Sequence, residues 1–301
     1  RGWDLVQKGD PRGAELSARR ALELDGQSPE AYNLLGFVAA LQGEFDDAVE
    51  HYRQAIALDD TYFEAMLNAA EVYIHPLADF DEALSLCQQA AELAETPDET
   101  VDALLLAFDA LLGKGDTEGA KTLCGRFPEG PFDNPTHTFL VGRAHYEVGD
   151  LDAAAPLIEA AAKQTPPNPE AFYYLGLLRD DQGDTAGATE AFLRAREFDL
   201  HIPAPPWALT TETFLATVRR VQEELGPDYR GCLLRAETYV AELPGIEVIV
   251  DGVDPRAVVL LEPVGEPGAE GKPQLRSFVY QRNVERLAGS LEYLEAELKA
   301  A

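Results

Sequence analysis

Residues 1–203 predict a mainly α protein, an α-solenoid of about five and a half helix pairs, and the remainder predicts a small α+β domain. Three observations carry that expectation. A six-residue corner ending in alanine recurs six times, each copy is flanked by apolar residues at helical spacing, and the pattern stops at a cluster of prolines.

The corners read GDPRGA (9–14), GEFDDA (43–48), ADFDEA (78–83), GDTEGA (115–120), GDLDAA (149–154) and GDTAGA (183–188). Their last alanines, Ala14, Ala48, Ala83, Ala120, Ala154 and Ala188, are spaced 34, 35, 37, 34 and 34 residues apart. A glycine followed by an acidic residue supplies a C-cap for one helix and an acidic start for the next. Upstream, AYNLLGFVAALQ and AFYYLGLLRDDQ carry apolar residues around Gly36 and Gly176; downstream, AVEHYRQAIALD places Ala48, Tyr52, Ala55 and Ile56 on one face. Small Ala and Gly let paired helices approach, and each pair must bury its apolar side against a neighbour.

The corners and their flanking helices resemble the tetratricopeptide repeat over residues 1–203. The aromatic–Leu–Gly of that pattern is Tyr32, Leu35, Gly36 and again Phe172, Leu175, Gly176; its later Ala–aromatic–Ala is Ala48, Tyr52, Ala55 and Ala188, Phe192, Ala195. The third repeat departs most, leaving through the irregular PEGPFDNP (128–135), and Arg1 falls inside a first helix, so a preceding half-repeat is expected. The resemblance implies a concave face lined by first helices. Its groove positions fall on Asn33, Phe37, Leu67, Glu71, Phe139, Arg143, Tyr173 and Leu177. The Lys and Asn clamp that some family members use for a C-terminal carboxylate is absent, since only Arg143 is basic among these positions. An aromatic and apolar groove with an acidic edge suits a peptide or partner protein carrying basic and apolar residues.

Charge supports that choice of partner. Residues 1–206 carry 14 Lys and Arg against 38 Asp and Glu, and residues 207–301 carry 10 against 16, giving a net charge of −30. Such a surface repels nucleic acid and anionic lipid; solubility or a salt-adapted source is the plainer explanation of the same charge. No apolar run reaches the length of a membrane span. Three cysteines do not make a disulfide framework, and Cys87 and Cys124 share one repeat position, so a reducing, cytoplasmic compartment is expected; a redox role for Cys232 has no support in its surroundings. The five histidines include no pair at i, i+3 or i, i+4, so no metal site and no cofactor are expected.

The junction HIPAPPWALTT holds three prolines, which stops helix and defines a linker over 204–211. Thr211 is a plausible cap for TETFLATVRRVQEELG, DYRGCLLR opens a short helix, and LRSFVYQRN alternates as a strand. VERLAGSLEYLEAELKAA reads as one helix with Leu287, Leu291, Leu294 and Leu298 as its stripe, and GEPGAEGKP as a loop without phosphate-loop spacing.

The phrases FLATVRRVQEELGPDYR, AETYVAELP, DGVDPRAVVLLEPVG and FVYQRNVERLAGSLEYLEAEL, in that order, resemble a small bacterial zincin-like metallopeptidase family over residues 212–301. That resemblance makes AETYVA a strand and implies an HExxH helix directly after LEAELKAA. No histidine follows His201, so the domain is expected to be incomplete or inactive and the chain, as it stands, not an enzyme. Glu242, Asp251, Asp254 and Glu262 read as turn and surface carboxylates. The function expected is a protein-interaction scaffold with a non-catalytic cap; the alternative is a repeat-targeted zinc peptidase whose HExxH lies beyond residue 301.

Overall fold

The computed structural model describes residues 2–226, 233, 236–264 and 274–301. Cys232, most of DYRGCLLR and the GEPGAEGKP segment lie outside the described residues. The chain divides into two compact units, residues 1–168 and 169–301, so the last helix pair clusters with the C-terminal part.

The first unit begins with a short helix α1 (Gly2–Gln7) and its partner α2 (Pro11–Leu24). Four pairs follow: α3 (Pro29–Gln42) with α4 (Phe45–Leu58), α5 (Phe63–Ile74) with α6 (Phe80–Leu93), α7 (Pro97–Lys114) with α8 (Thr117–Cys124), and α9 (Pro135–Glu147) with α10 (Leu151–Ala162). The corners do what their chemistry requires. Gly9, Gly43, Gly115 and Gly149 take φ between 73° and 79°. The Asp after the glycine accepts an N–H of the next helix: Asp10 from Gly13 at 2.8 Å, Asp116 from Gly119 at 2.9 Å and Asp150 from Ala153 at 3.4 Å. Two corners depart. Ala78 stands where glycine does elsewhere and is forced to φ 51°, and Glu44 caps nothing because its side chain is one methylene too long.

The repeat alanines are interior contacts, with Ala14, Ala48, Ala83, Ala120 and Ala154 fully buried. Gly36 has a separate reason: a Cβ there would lie 2.6 Å from Tyr52 Cε1 and 3.0 Å from the Ala48 carbonyl oxygen. In the divergent third repeat the fully buried Phe108 stands at the glycine position, on an 18-residue α7. Thr96 and Glu99 open that helix with a reciprocal capping box.

First helices pack on first helices, α3 on α5, α5 on α7 and α7 on α9; among the described residues the second helices α2, α4, α6 and α8 show no comparable packing on one another. Closer approach on one side curves the stack, and first helices line its concave side.

The second unit opens with α11 (Pro169–Asp181) and α12 (Thr185–His201), joined by the corner Gly183–Asp184. After the prolines come α13 (Thr211–Glu224), capped by Thr210 rather than Thr211, then β1 (Glu237–Ala241), α14 (Ile246–Val250), β2 (Val259–Val264), β3 (Gln274–Tyr280), α15 (Gln281–Ala288) and α16 (Leu294–Ala300). The sheet order is β1-β3-β2, with β1 parallel and β2 antiparallel to β3. Phe214, Val218 and Val221 of α13 bury against Val279, Val284, Leu294 and Leu298, and Trp207 packs on this cluster.

Two expectations need correction. The strand expected over 275–283 turns into α15 at Gln281. The single C-terminal helix is two, because Gly289 takes φ 64° and caps α15; Leu294 and Leu298 are buried while Leu287 and Leu291 stand 61% and 50% exposed, so the four leucines form no common stripe.

Candidate functional site

The concave side of the first unit is built from one short stretch of each first helix. On α3, Asn33 is buried rather than open to a partner. Its amide donates to the Tyr62 hydroxyl at 3.1 Å, and Asn68 donates to its carbonyl oxygen at 3.0 Å, tying α3 to α5. Phe37, one turn on, is half-buried, and the Trp3 ring meets it edge-on at 5.1 Å. On α5, Leu67 is half-buried and packs on the cluster around Met66, Ala90 and Ala103, while Glu71 is exposed. On α9, Phe139 is buried, and Arg143, half-buried, pairs with Glu147 at 3.4 Å.

The third repeat adds two residues at the same positions that the sequence reading passed over, Leu105 and Asp109 of α7, both half-buried. Burial pushes the Asp109 carboxyl upward, against the opposing pull of Arg143 and His75. Phe108 in place of glycine hides the register of this repeat, so only counting 34 residues on from Glu71 and Leu67 with the inserted residues removed would have found them. The open part of the face is thus Phe37, Leu67 and Leu105 with Glu71 and Asp109 beside them; Asn33 and Phe139 are structural.

In the second unit, Tyr173 and Leu177 are half-buried on α11. Tyr173 is already engaged by the DGVDPR turn. Its hydroxyl donates to Asp254 Oδ2 at 3.0 Å, and the Arg256 guanidinium lies 4.2 Å from its ring centroid. The same guanidinium makes a two-pronged contact with Glu170, 2.7 Å on each prong, and reaches the buried Asp199 at 3.3 and 3.4 Å. Burial opposes the charge on Arg256, but the hydrogen bonds and charges of Glu170 and Asp199 outweigh it and hold the proton more firmly. Burial, then Asp254, pushes the Tyr173 hydroxyl upward. Asp254 Oδ1 accepts the Arg256 backbone N–H at 2.7 Å, and the buried Asn283 amide donates to the Pro255 and Ala257 carbonyls at 2.9 and 2.7 Å, so the turn is braced from behind.

The carboxylates read as turn and surface groups divide. Asp254 is a turn-former that also meets α11, and Glu242 pairs with Arg282 at 2.5 Å, while Asp251 is exposed and Glu262 half-buried. A cavity of about 480 Å³ beneath the sheet is lined by Val218, Val221, Leu261, Val279 and Leu298, with Gln222, Ser277 and Lys299 as its polar members. No histidine is present in residues 202–301, and no group of three metal-ligating side chains converges among the described residues. The donor set of a zinc peptidase is therefore not supplied by the residues present. His137 is held between Asp98 at 2.8 Å and Asp102 at 3.0 Å; the two carboxylates face opposite nitrogens of the ring, which ties α7 to α9 and does not chelate. His145 pairs with Asp150 at 3.1 Å. No described helix is long and apolar enough to cross a membrane.

A stack of antiparallel helix pairs with first helices inward defines a helical-repeat protein. The family profile described as tetratricopeptide repeat matches residues 1–63, 42–100 and 140–201, more than half of the chain, and the chain belongs to that family. It is 27% identical over 270 residues, 81% of the chain, to cellulose synthase operon protein C of Pseudomonas fluorescens, and 39% identical over 51 residues to anaphase-promoting complex subunit 6 of Dictyostelium discoideum. The chain spans 20% and 6% of the length of these relatives. Among solved structures it is similar to pilF of Pseudomonas aeruginosa, with a TM-score of 0.54 and 19% identity over 67% of this chain and 94% of that one. The type IV pilus biogenesis factor PilW gives a TM-score of 0.55 and 16% identity over 67% and 91% of the two chains. These two likenesses concern the fold alone.

Proposed function

We propose that this chain is a non-catalytic interaction scaffold that grips an extended segment of another protein on the concave side of residues 1–168. The observation that supports it is the partly open set Phe37 on α3, Leu67 on α5 and Leu105 on α7, three successive first helices, with Glu71 and Asp109 one turn further along α5 and α7. Apolar side chains on successive first helices accept apolar side chains of a partner, and the carboxylates, within a chain of net charge −30, select basic residues. One relative is by its name a subunit of a larger complex, which agrees with an assembly role. The C-terminal part, whose zincin-like identity rests on sequence phrases alone, serves in this reading as a cap on the last helix pair and carries no catalysis. The test is selection from a random 12-residue peptide library on the full chain. Enrichment of Arg and Lys together with aliphatic residues supports the reading; enrichment of acidic peptides, or none above an unrelated protein, overturns it.

A further inference from the structure

The Arg256 contacts have the makeup of a ligand site. A guanidinium is planar, permanently charged and donates in a fixed fork, so a carboxylate met on two prongs and an aromatic face are the groups that recognise it best. Glu170 supplies the two-pronged carboxylate, Tyr173 the face, and Asp199, only 2% exposed, a second carboxylate behind. All three lie on α11 and α12, elements separate in the chain from the turn that fills them. The occupant comes from 57 to 86 residues away in sequence, on a turn that Asp254 and Asn283 shape from the C-terminal part's own side. Asp199 also has Arg286 at 3.0 Å, so its charge is not left unpaired when Arg256 leaves.

We infer that Glu170, Tyr173 and Asp199 form a guanidinium-binding site, filled by the chain's own Arg256 and open to an arginine side chain of a partner by exchange with it. With Arg256 seated, the turn covers Tyr173, so the turn decides whether this face of α11 is open to an arginine. The inference uses a different site from the groove on α3–α9 and goes beyond the scaffold reading; loss of peptide binding there leaves it standing.

The test empties the site and offers it a small probe. Arg256→Ala is prepared in the full chain and titrated calorimetrically with ethylguanidinium and, as control, ethylammonium. The expected result is binding of ethylguanidinium to the variant at least tenfold tighter than to the wild type, no such gain with ethylammonium, and loss of the gain in Arg256→Ala/Tyr173→Leu. A folded variant that binds ethylguanidinium no better than the wild type, or both cations alike, overturns the inference. If Arg256→Ala does not fold, recovery of its helical circular dichroism by millimolar ethylguanidinium but not ethylammonium supports the site, and recovery by neither overturns it.

Discussion

The Tyr52 ring occupies the space that Gly36 leaves: a Cβ on Gly36 would sit 2.6 Å from Tyr52 Cε1, and Tyr52 is 1% exposed and has nowhere to retreat. The pairing of α3 with α4 therefore depends on one absent methyl group. Gly36→Ala is expected to destabilise by about 1–3 kcal/mol through overpacking, despite the better helix propensity of alanine. Gly26→Ala, whose Cβ meets only the Leu22 carbonyl oxygen at 3.7 Å, is the control and is expected to stay within about 0.5 kcal/mol of wild type. Urea unfolding followed by circular dichroism distinguishes the two.

The two irregular corners give the opposite sign. Ala78 holds φ 51°, where an L side chain crowds the backbone, so Ala78→Gly is expected to stabilise by about 0.5–1 kcal/mol. Glu44 has the cap backbone without a cap hydrogen bond, and Glu44→Asp is expected to gain about 0.5–1 kcal/mol by completing it. Each change is expected to raise the melting temperature by about 1–4 °C. A lower melting temperature for either would contradict the corner geometry.

Two thiols report on burial. Burial pushes Cys87 up to about 12 and Cys124 up to about 11 from an ordinary value of 9.0. Both are thus protonated and unreactive in the folded chain at pH 8, and are expected to react with a disulfide reagent only after denaturation. Because the folded state keeps protons that the unfolded state releases above pH 9, the stabilising contribution is full below the unfolded value and is lost as pH rises through 11 to 12. Fast reaction of both thiols in the native protein would contradict it.

Salt acts in two directions. Screening of a net charge of −30 relieves self-repulsion, so stability is expected to rise between 0.05 and 0.5 M NaCl. The same screening is expected to weaken association with a basic peptide by about tenfold, mainly through slower encounter. An affinity that does not change with salt would remove the acidic edge from the account.

The legible parts of this fold are those with a local cause. Gly–Asp corners, repeat alanines and Gly36 each follow from contacts within one helix pair, and they are visible as a 34-residue rhythm. The third repeat was not legible at its groove positions because Phe108 replaces the marker glycine. The spacing of Leu287, Leu291, Leu294 and Leu298 suits one helix, and only the left-handed Gly289 shows that it is two. Tyr173 reads as an open groove residue, yet Asp254 and Arg256, 81 and 83 residues further on, engage it; no periodicity announces a contact between a repeat and a turn outside it. Asn33 likewise reads as a partner contact and instead spends its amide on Tyr62 and Asn68.

The central claim is that a partner lies along α3, α5 and α7, and one affinity comparison tests it most directly. A library-selected basic and apolar peptide is titrated into the wild-type chain and into Phe37→Ala/Leu67→Ala, with far-ultraviolet circular dichroism as the folding control. The account predicts at least about tenfold weaker binding at unchanged helical content, the loss expected when two apolar anchors are truncated. An unchanged dissociation constant in the folded double variant would contradict it.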